Sequence, residues 1–478
     1  MTVPLQRPRK RHLVTVPTTT PLRVAIVGAG PAGIYAADIL SKTDLEVEID
    51  LFERLPAPYG LVRYGVAPDH PRIKGIVTAL YKVLQRGDIR LIGNVDFGKD
   101  VSLEELRRYY DAVIFSTGAI RDADLNIPGI DLDGSYGAAD FVSWFDGHPD
   151  VPRTWPLEAQ HIAVLGVGNV ALDVARMLAK HVEDLMPTEI PANVAEGLAK
   201  SPVTDVHVFG RRGPAQVKFT PLELRELGKV PDVDIVVYPE DFDFDEGSEE
   251  AIRSSNLTKQ VVKTLTDWTL RDPSELTASR RIHLHFLHKP HEVLGSDGKV
   301  TGFRTERTEL TGDGNVRGTG TYEDFEVQAI YRAVGYFGSP LPDIPFDEVA
   351  GVIPNDGGRV LGADGDHIPG LYATGWIKRG PVGLIGHTKS DAAETIRHLV
   401  EDLAGALEDG SLDAAQDRDP QAILDRLEAD GVPYTTWEGW ELLDSYERSL
   451  GEEQGRERIK VVPREEMTEI SRGVTARA

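Results

Sequence analysis

The sequence predicts an α/β fold with two similar domains, because one strand–turn–helix pattern occurs twice. The first copy starts at Leu22 with LRVAIV, followed by the turn GAGPAG and a helix from Ala32 to Leu40. The second starts at His161 with HIAVL, followed by GVGNVA and another helix. Short aliphatic runs of this kind are typical of buried parallel strands. The repeat therefore predicts two Rossmann-like dinucleotide-binding domains, each a parallel or mixed sheet flanked by helices.

The glycines of the first copy have the spacing of a phosphate-binding turn. Gly28 permits the tight turn after the strand, Gly30 lets the backbone approach a pyrophosphate, and Gly33 lets the helix pack closely on the strand. The next strand, VEIDLFE, ends at Glu53. A carboxylate at that position accepts hydrogen bonds from ribose hydroxyls. The first copy therefore predicts a site for a nucleotide with a free ribose, such as FAD.

The second copy differs at the position that decides ribose recognition. Gly166 and Gly168 are followed by Ala171 in place of the third glycine, which the pattern allows. The next strand ends at Arg211 and Arg212. Guanidinium groups bind a 2′-phosphate that a carboxylate would repel. This favours NADP over NAD, with a solvated arginine pair at a strand end as the alternative.

Composition excludes several classes of protein. The 478-residue chain has a net charge of −25, which argues against nucleic-acid binding, and a length suited to two or three domains. It has no cysteine, so it cannot form a disulfide, a CxxC centre, a cysteine-bound zinc site or an iron–sulfur cluster of its own. We expect no metal site. Redox chemistry would require a bound organic cofactor or a partner.

The apolar runs and residues 1–20 bear on where in the cell the protein is located. No apolar run approaches the roughly 20 residues of a membrane-spanning helix. Residues 1–20 include four basic residues in RPRKR but also several prolines. A transit peptide is one interpretation of this composition. We expect instead a flexible basic arm on a cytoplasmic protein.

Several other segments carry expectations about local structure. Residues 56–71 are rich in proline and glycine and are predicted to form a loop that lines a cofactor. We expect a helix over 74–85, a solvated acidic loop over 239–250 and a helix over 256–270. The glycine-rich stretch 378–386 should lead into a helix over 388–403.

Six strings together resemble one family, the adrenodoxin reductase-like ferredoxin–NADP reductases. They are GAGPAG, PYGLVRYGVAPDH, DAVIFSTGA, GVGNVALD, FGRRGPAQVKFTPLELREL and ATGWIKRGPVGLIG. The resemblance covers the chain from about Arg23 to about Lys460. It implies that the NADP domain, 120–339, is inserted into an FAD domain made of 21–119 and 340–478.

The resemblance also implies the cofactor sites. For FAD, together with the glycine motif, they are Gly28, Gly30, Ala32, Gly33, Glu53, Leu61, Val95, Trp376, Gly383, Leu384 and Ile385. For NADP they are Gly166, Gly168, Asn169, Val170, Ala171, Leu172, Arg211, Arg212, Glu223 and Gly383. Glu223 is an acid and would repel a nearby phosphate, so its place among the NADP residues needs an explanation. By similarity, Glu223 would bind the nicotinamide-side ribose or position an arginine.

Two further residues match positions where the family has polar groups near the flavin. These are His70 and Asp173, for which we consider a proton-handling role. For Asp173 an equally good interpretation is an acid in the first turn of a helix, stabilised by the helix dipole.

The function expected from the resemblance is that of an FAD-dependent ferredoxin–NADP(+) reductase. A hydride passes from NADPH to FAD, and single electrons then pass to a ferredoxin or flavodoxin, or the reverse. Since ferredoxins are usually acidic, a chain of charge −25 must present a local basic face. Candidates are Lys259, Lys263 and Arg271, with Arg280, Arg281 or the basic arm as further ones; scattered solvated charges are the alternative.

The same residues bear on other flavoprotein functions. A disulfide reductase would need CxxC, and a glutamate synthase small subunit would be expected to carry cysteine-bound clusters, so the absence of cysteine argues against both. A flavin monooxygenase or NADPH oxidase stays open. So does a non-catalytic NADP-binding redox sensor, although two intact nucleotide motifs argue against it.

Overall fold

The computed structural model describes residues 21–381 and 385–473. Its elements up to the second glycine motif are β1 (Leu22–Val27), α1 (Pro31–Leu40), β2 (Val47–Glu53), α2 (Leu61–Tyr64), α3 (Pro71–Lys74), α4 (Val77–Leu84), β3 (Ile89–Gly93), α5 (Leu103–Tyr109), β4 (Ala112–Phe115), β5 (Arg121–Asp122), β6 (Ser135–Gly137) and α6 (Ala138–Phe145). The central part contains β7 (His161–Leu165), α7 (Asn169–Ala179), α8 (Ala192–Leu198), β8 (Asp205–Phe209), α9 (Pro221–Leu227), β9 (Val233–Val237), α10 (Glu246–Ser254), α11 (Asn256–Thr269), β10 (Arg280–His285), β11 (His288–Ser296), β12 (Lys299–Leu310), β13 (Val316–Phe325) and β14 (Ala329–Arg332). The last part contains β15 (Tyr336–Phe337), β16 (Asn355–Asp356), β17 (Arg359–Leu361), β18 (His367–Ala373), α12 (Trp376–Arg379), α13 (Ile385–Asp409), α14 (Ala422–Ala429), α15 (Trp437–Glu452) and α16 (Arg464–Ser471).

The first sheet has seven strands in the order β16-β17-β18-β4-β1-β2-β3. It is parallel from β18 to β3, and β16 and β17 add an antiparallel edge. Val27 is in register with Phe52 on one side and with Phe115 on the other. Because the carboxyl ends of these parallel strands meet at one edge, the turns that follow them lie side by side.

The second sheet has six strands, in the order β6-β14-β7-β8-β10-β9, and all its pairings are parallel. All of its strands lie in the chain between β4 and β18 of the first sheet. A two-stranded ribbon of β5 and β15 joins the segments that leave and return. The α/β prediction with two helix-flanked sheets is confirmed, while the exact domain boundaries stay a prediction.

The core explains why α1 must approach the first sheet so closely. Ile34 and Leu40 of α1 share one buried cluster with Ile26 of β1 and with Ile396 and Leu403 of α13. At Gly33 a Cβ atom would overlap the carbonyl oxygen of Gly28. The helix therefore reaches this depth only with glycine at that position.

Two predictions about the first half of the chain were wrong in detail. The predicted loop over 56–71 contains the single-turn helix α2. It also contains the start of α3, because Pro71 pre-sets the helical backbone there. The helix predicted over 74–85 begins only at Val77, since Gly75 ends α3.

Two later segments also differ from the predictions. The acidic segment 239–250 is not all loop, because the Asp245 side chain accepts a hydrogen bond from the Ser248 N–H and caps α10 at Glu246. The helix expected over 388–403 extends from Ile385 to Asp409. The helix predicted over 256–270 is confirmed as α11.

In the described ranges, no helix is both long and apolar enough to cross a membrane.

Candidate active site

The predicted FAD residues of the first glycine motif meet at the carboxyl edge of the first sheet. The Gly28 N–H donates to the Phe52 carbonyl at 2.8 Å, and the Ser116 N–H donates to the Val27 carbonyl at 2.8 Å. Gly28 has φ +111°, a conformation that favours glycine. The turn from β1 into α1 is therefore fixed by the neighbouring strands on both sides.

Glu53 is held at the tip of β2 by backbone donors. Its Oε2 accepts from the Ala29 N–H at 2.9 Å and its Oε1 accepts from the Leu55 N–H at 3.0 Å. Burial raises the pKa of Glu53, and these hydrogen bonds oppose that rise only in part. A carboxylate fixed so close to the glycine turn is placed to accept a ribose hydroxyl.

The edge has the form of a phosphate cradle. Gly30 caps α1 without any side-chain hydrogen bond, so the N–H groups of the first turn, where Ala32 lies, are open to an anion. A Cβ on Gly60 would lie 3.1 Å from the Gly30 Cα. Leu61 follows directly at the start of α2, and the Val95 N–H donates to the Glu53 carbonyl at 3.0 Å. The structure thus brings these predicted FAD residues together.

Trp376 lies at the same edge, where the turn after β18 leads into the single-turn helix α12. Ala373 is in register with Phe115, and the Thr374 N–H donates to the Phe115 carbonyl at 2.9 Å. Gly375 has φ +77°, and a Cβ there would lie 2.6 Å from the Ala32 Cβ. The turn therefore passes directly over the first turn of α1.

Three predicted residues lie beyond that turn. Gly383 and Leu384 are outside the described residues, and Ile385 begins α13.

The second glycine motif forms an equivalent edge on the second sheet. The Gly166 N–H donates to the Phe209 carbonyl at 3.0 Å, and Gly166 has φ +134°. Gly168 caps α7 without a side-chain hydrogen bond, and a Cβ there would meet nothing within 4 Å. The Asn169 side chain accepts from the Thr220 N–H at 2.9 Å. The N–H groups in the first turn of α7 are therefore open to an anion, as they are at the start of α1.

The next three predicted NADP residues point mainly into the protein. Ala171 and Leu172 are fully buried in the core of the second sheet, and Val170 is partly buried against it. Only their backbone groups and the edge of Val170 can face a nucleotide.

Arg211 and Arg212 follow β8 at this edge. Their backbone carbonyls accept from the Thr308 hydroxyl at 2.7 Å and the Leu287 N–H at 3.2 Å, respectively. Among the described residues neither guanidinium has an ion-pair or hydrogen-bond partner. Two unpaired cations on a chain of charge −25 favour an anionic ligand here.

A buried ion cluster connects the two parts of the chain. His70, from the segment after α2, places its Nε2 2.9 Å from Asp173 Oδ1 and 3.1 Å from Glu223 Oε2. Its Nδ1 lies 2.7 Å from Glu226 Oε2. Arg176 binds Asp69 with Nε at 2.8 Å and Nη2 at 2.9 Å. We call Asp69, His70, Asp173, Arg176, Lys180, Glu223 and Glu226 the interface cluster.

The interface cluster raises the pKa of its histidine. Burial alone would lower the pKa of His70, but hydrogen bonds to Asp173 and Glu223 outweigh it and raise the pKa to about 10. Arg176, whose Nη2 lies 2.5 Å from Nε2, opposes this rise without cancelling it. Burial would also raise the pKa of Asp69, yet Arg176 and Lys180 hold it well below its usual range.

The positions of Asp173 and Glu223 in the cluster bear on two interpretations made from the sequence. Asp173 is not a first-turn acid of α7, so the helix-dipole interpretation was wrong; it faces His70 and, at 3.0 Å, Arg176. Glu223 Oε2 lies 3.7 Å from Arg176 Nη1, so the arginine that it faces is Arg176.

Four members of the cluster were missed by sequence reasoning: Asp69, Arg176, Lys180 and Glu226. The signals available were the Asp-His-Pro string at 69–71 and the spacing of Asp173 and Arg176 on one helix face. Neither signal shows that α9 packs beside them.

The predicted docking cations differ in their surroundings. Lys259 is exposed on α11 and has no ion-pair partner among the described residues. Lys263 pairs with Asp267 at 2.6 Å, and Arg271 lies over the Trp268 ring at 5.2 Å. Arg280 donates to the Lys180 carbonyl at 3.0 Å. In the described structure Lys259 and Arg281 are the exposed cations of this set without an ion-pair or aromatic-ring partner, and the basic arm lies outside it.

Comparison with known proteins gives one family model and many relatives. The model of the pyridine nucleotide-disulphide oxidoreductase family matches residues 22–208. NADPH-ferredoxin reductase FprA of Mycobacterium tuberculosis is 40% identical over 463 residues, covering 95% of this chain and 100% of that protein. The mitochondrial NADPH:adrenodoxin oxidoreductase of Homo sapiens is 38% identical over 474 residues, covering 96% and 94%.

A solved structure agrees with this. Mycobacterium tuberculosis FprA in complex with NADPH matches with a TM-score of 0.86 and 39% identity, over 95% of this chain and 100% of that chain. The chain therefore belongs to the family that contains NADPH-ferredoxin reductase FprA and the mitochondrial NADPH:adrenodoxin oxidoreductases.

Proposed function

We propose that this protein is an FAD-dependent ferredoxin–NADP(+) reductase. The observation that carries the proposal is the difference between two otherwise equivalent sheet edges. One ends in the buried Glu53, and the other in the unpaired Arg211 and Arg212. A carboxylate suits a ribose hydroxyl and an arginine pair suits a 2′-phosphate, so one chain holds FAD and NADP(H) at separate sites.

FAD is held at the first edge. The open N–H groups at the start of α1 receive its pyrophosphate, Glu53 accepts from its ribose, and Leu61, Val95 and Trp376 contact the rest of the molecule. Gly383, Leu384 and Ile385 complete the proposed site. When bound, FAD accepts a hydride from NADPH and releases electrons singly, which supplies the redox chemistry that a chain without cysteine lacks.

NADP(H) is held at the second edge. The start of α7, from Gly168 to Leu172, receives the pyrophosphate, and Arg211 and Arg212 bind the 2′-phosphate. Glu223 lies within the interface cluster, so its part in NADP binding is to position Arg176 and His70 rather than to meet a phosphate.

His70 and Asp173 are the proposed proton-holding pair. At neutral pH the imidazolium donates from Nε2 to Asp173 and from Nδ1 to Glu226. Its charge partly compensates Asp173, Glu223 and Glu226, of which Asp173 and Glu223 also face Arg176. The pair thus keeps a proton where the segment before α3 meets α7 and α9.

The electron partner is a ferredoxin, or a flavodoxin in its place. An acidic partner docks on the cations of α11 and its C-terminal end, namely Lys259, Lys263 and Arg271. We expect no nucleic-acid partner, given the net charge of −25. The cytoplasmic location and the basic arm expected from the sequence stay predictions.

Steady-state assays test the proposal. Purified protein should carry FAD and oxidise NADPH with an artificial dye and with a low-potential ferredoxin. Lys259→Glu should slow ferredoxin reduction about tenfold while dye reduction stays unchanged, because only the protein partner needs the basic face. Lys200→Glu, an exposed change just after α8, is the control. If Lys259→Glu slowed dye reduction as much as ferredoxin reduction, the result would count against docking on α11.

A further inference from the structure

Trp376 has no side-chain anchor of its own. In the described part of the chain its indole makes no hydrogen bond, and no aromatic ring stacks on it. The direction of the ring therefore depends on the backbone of the turn from Thr374 to Arg379. Whatever holds this turn also decides where the indole lies.

One carboxylate holds the turn from both sides of Trp376. Asp391 Oδ2 accepts from the Gly375 N–H at 2.6 Å and from the Thr374 hydroxyl at 3.1 Å. Its Oδ1 faces Lys378 Nζ at 3.2 Å and Arg379 Nε at 3.6 Å. The residues before Trp376 bind one oxygen, and the residues after it face the other.

Asp391 is itself fixed in place. Its side chain is only 8% exposed, and the next residue of α13, Ala392, is buried against α1. Gly375 in turn lies against Ala32 in the first turn of α1. The carboxylate, the turn and the phosphate cradle thus form one continuous contact.

We propose that Asp391 is the positioning residue that sets the orientation of Trp376 at the FAD site. The inference rests on the proposed function, because Trp376 contacts FAD only if the first edge binds it. Asp391 touches no cofactor and acts through the backbone N–H of Gly375. Hydrogen bonds to a charged group at these distances are strong enough to select one geometry of a short turn.

Glu394 provides a matched control on the same helix. It binds Lys378 Nζ at 2.7 Å, but its side chain is 49% exposed, and none of its described contacts involves the backbone of the turn. Glu394→Gln removes an acid from Lys378 and leaves both donors to Asp391 Oδ2 in place. A change in the flavin spectrum that is found in Asp391 variants but not in Glu394→Gln is therefore due to the hydrogen bonds that Asp391 Oδ2 accepts from the turn.

The test compares Asp391→Ala, Asp391→Asn and Glu394→Gln by the visible circular dichroism of bound FAD. We expect Asp391→Ala to change the shape of the flavin bands and to lower kcat for NADPH about tenfold or more, with a smaller change in KM. Asp391→Asn, which keeps an acceptor for Gly375, should recover part of both. Glu394→Gln should match the wild type.

The proposal is overturned if Asp391→Ala lowers Tm while the flavin dichroism and kcat stay as in the wild type. Should Asp391→Ala fail to fold, Thr374→Val removes one donor with little change in shape and must shift the dichroism in the same direction as Asp391→Asn. Unchanged spectra in both also overturn it. The dichroism needs only bound FAD, so a wild type that binds FAD without oxidising NADPH would defeat the proposed function alone.

Discussion

At the scale of single residues, the second sheet edge is defined by two cations without partners. Arg211 is exposed and Arg212 is half-buried, and neither has an acid beside it in the described chain. Many arginines elsewhere in the described chain face an acid, as Arg304 does with Asp324 at 2.7 Å. We expect these two free charges to meet an anionic ligand.

Replacing this pair should change nucleotide preference. Arg211→Ala is expected to raise KM for NADPH by about 10- to 100-fold, the value of one or two hydrogen bonds between charged groups, and to leave KM for NADH unchanged. Steady-state kinetics with a dye acceptor measure both. Arg281→Ala, at the start of β10 and thus at the opposite edge of the sheet, is the control and should change neither constant.

His70 gives a prediction for pH. Since its pKa rises from 6.5 to about 10 on folding, its contribution to stability is complete below pH 6.5 and is lost as pH rises through 10. The Tm difference between wild type and His70→Gln should therefore be largest at about pH 6 and shrink steadily as the pH rises towards 10. Thermal melts across this range measure it. A constant difference would contradict the protonated histidine.

At the scale of elements, the glycine motif determines how close a helix comes to a sheet. Gly33→Ala is expected to push α1 outward at a cost of about 1–3 kcal/mol and to weaken FAD retention, because the added methyl overlaps the Gly28 carbonyl. Flavin content after gel filtration and Tm measure the two effects.

Gly405→Ala is the matched control for that change. Gly405 is also helical, within α13, but a Cβ there meets nothing within 4 Å. It should leave flavin content unchanged and stabilise the helix slightly. Equal flavin loss in both variants would contradict the close-packing account.

The elements also show how far sequence reasoning reaches. The strand, glycine turn and helix around Gly28 are local in the chain, so pattern and spacing predicted them. The interface cluster is not local, because His70, Asp173 and Glu226 come from three separate segments brought together by packing. Asp391 was missed for the same reason: its partners are the backbone and side chains of a turn on another element.

At the scale of the whole molecule, the segment Arg456–Arg464 joins the surroundings of both sheets. Lys460 Nζ donates to the Arg63 carbonyl at 2.7 Å and the Asp146 carbonyl at 3.0 Å, and lies 2.9 Å from Glu189 Oε1. Arg464 donates to the Arg54 carbonyl at 2.9 Å. This segment therefore connects Arg54 and Arg63, which follow β2 in the chain, with Asp146 and Glu189, which lie between β6 and β8.

Breaking this coupling should be costly. Lys460→Met leaves Glu189 and Asp146 with fewer cations in a buried site and is expected to destabilise the protein by about 3–5 kcal/mol. Thermal unfolding of the FAD-loaded protein measures it. The control is Arg448→Ala, which breaks an exposed pair with Asp444 and should cost at most about 1 kcal/mol. Similar losses in both would contradict the role of the segment.

We propose that this one chain carries electrons from NADPH through FAD to a ferredoxin. The most direct measurement mixes the protein anaerobically with NADPH, and separately with NADH, and follows flavin absorbance with and without a [2Fe–2S] ferredoxin. We predict fast bleaching with NADPH, slow bleaching with NADH and reduction of the ferredoxin. Fast bleaching without ferredoxin reduction would contradict the account and favour an oxidase or monooxygenase, and no bleaching at all would favour a redox sensor.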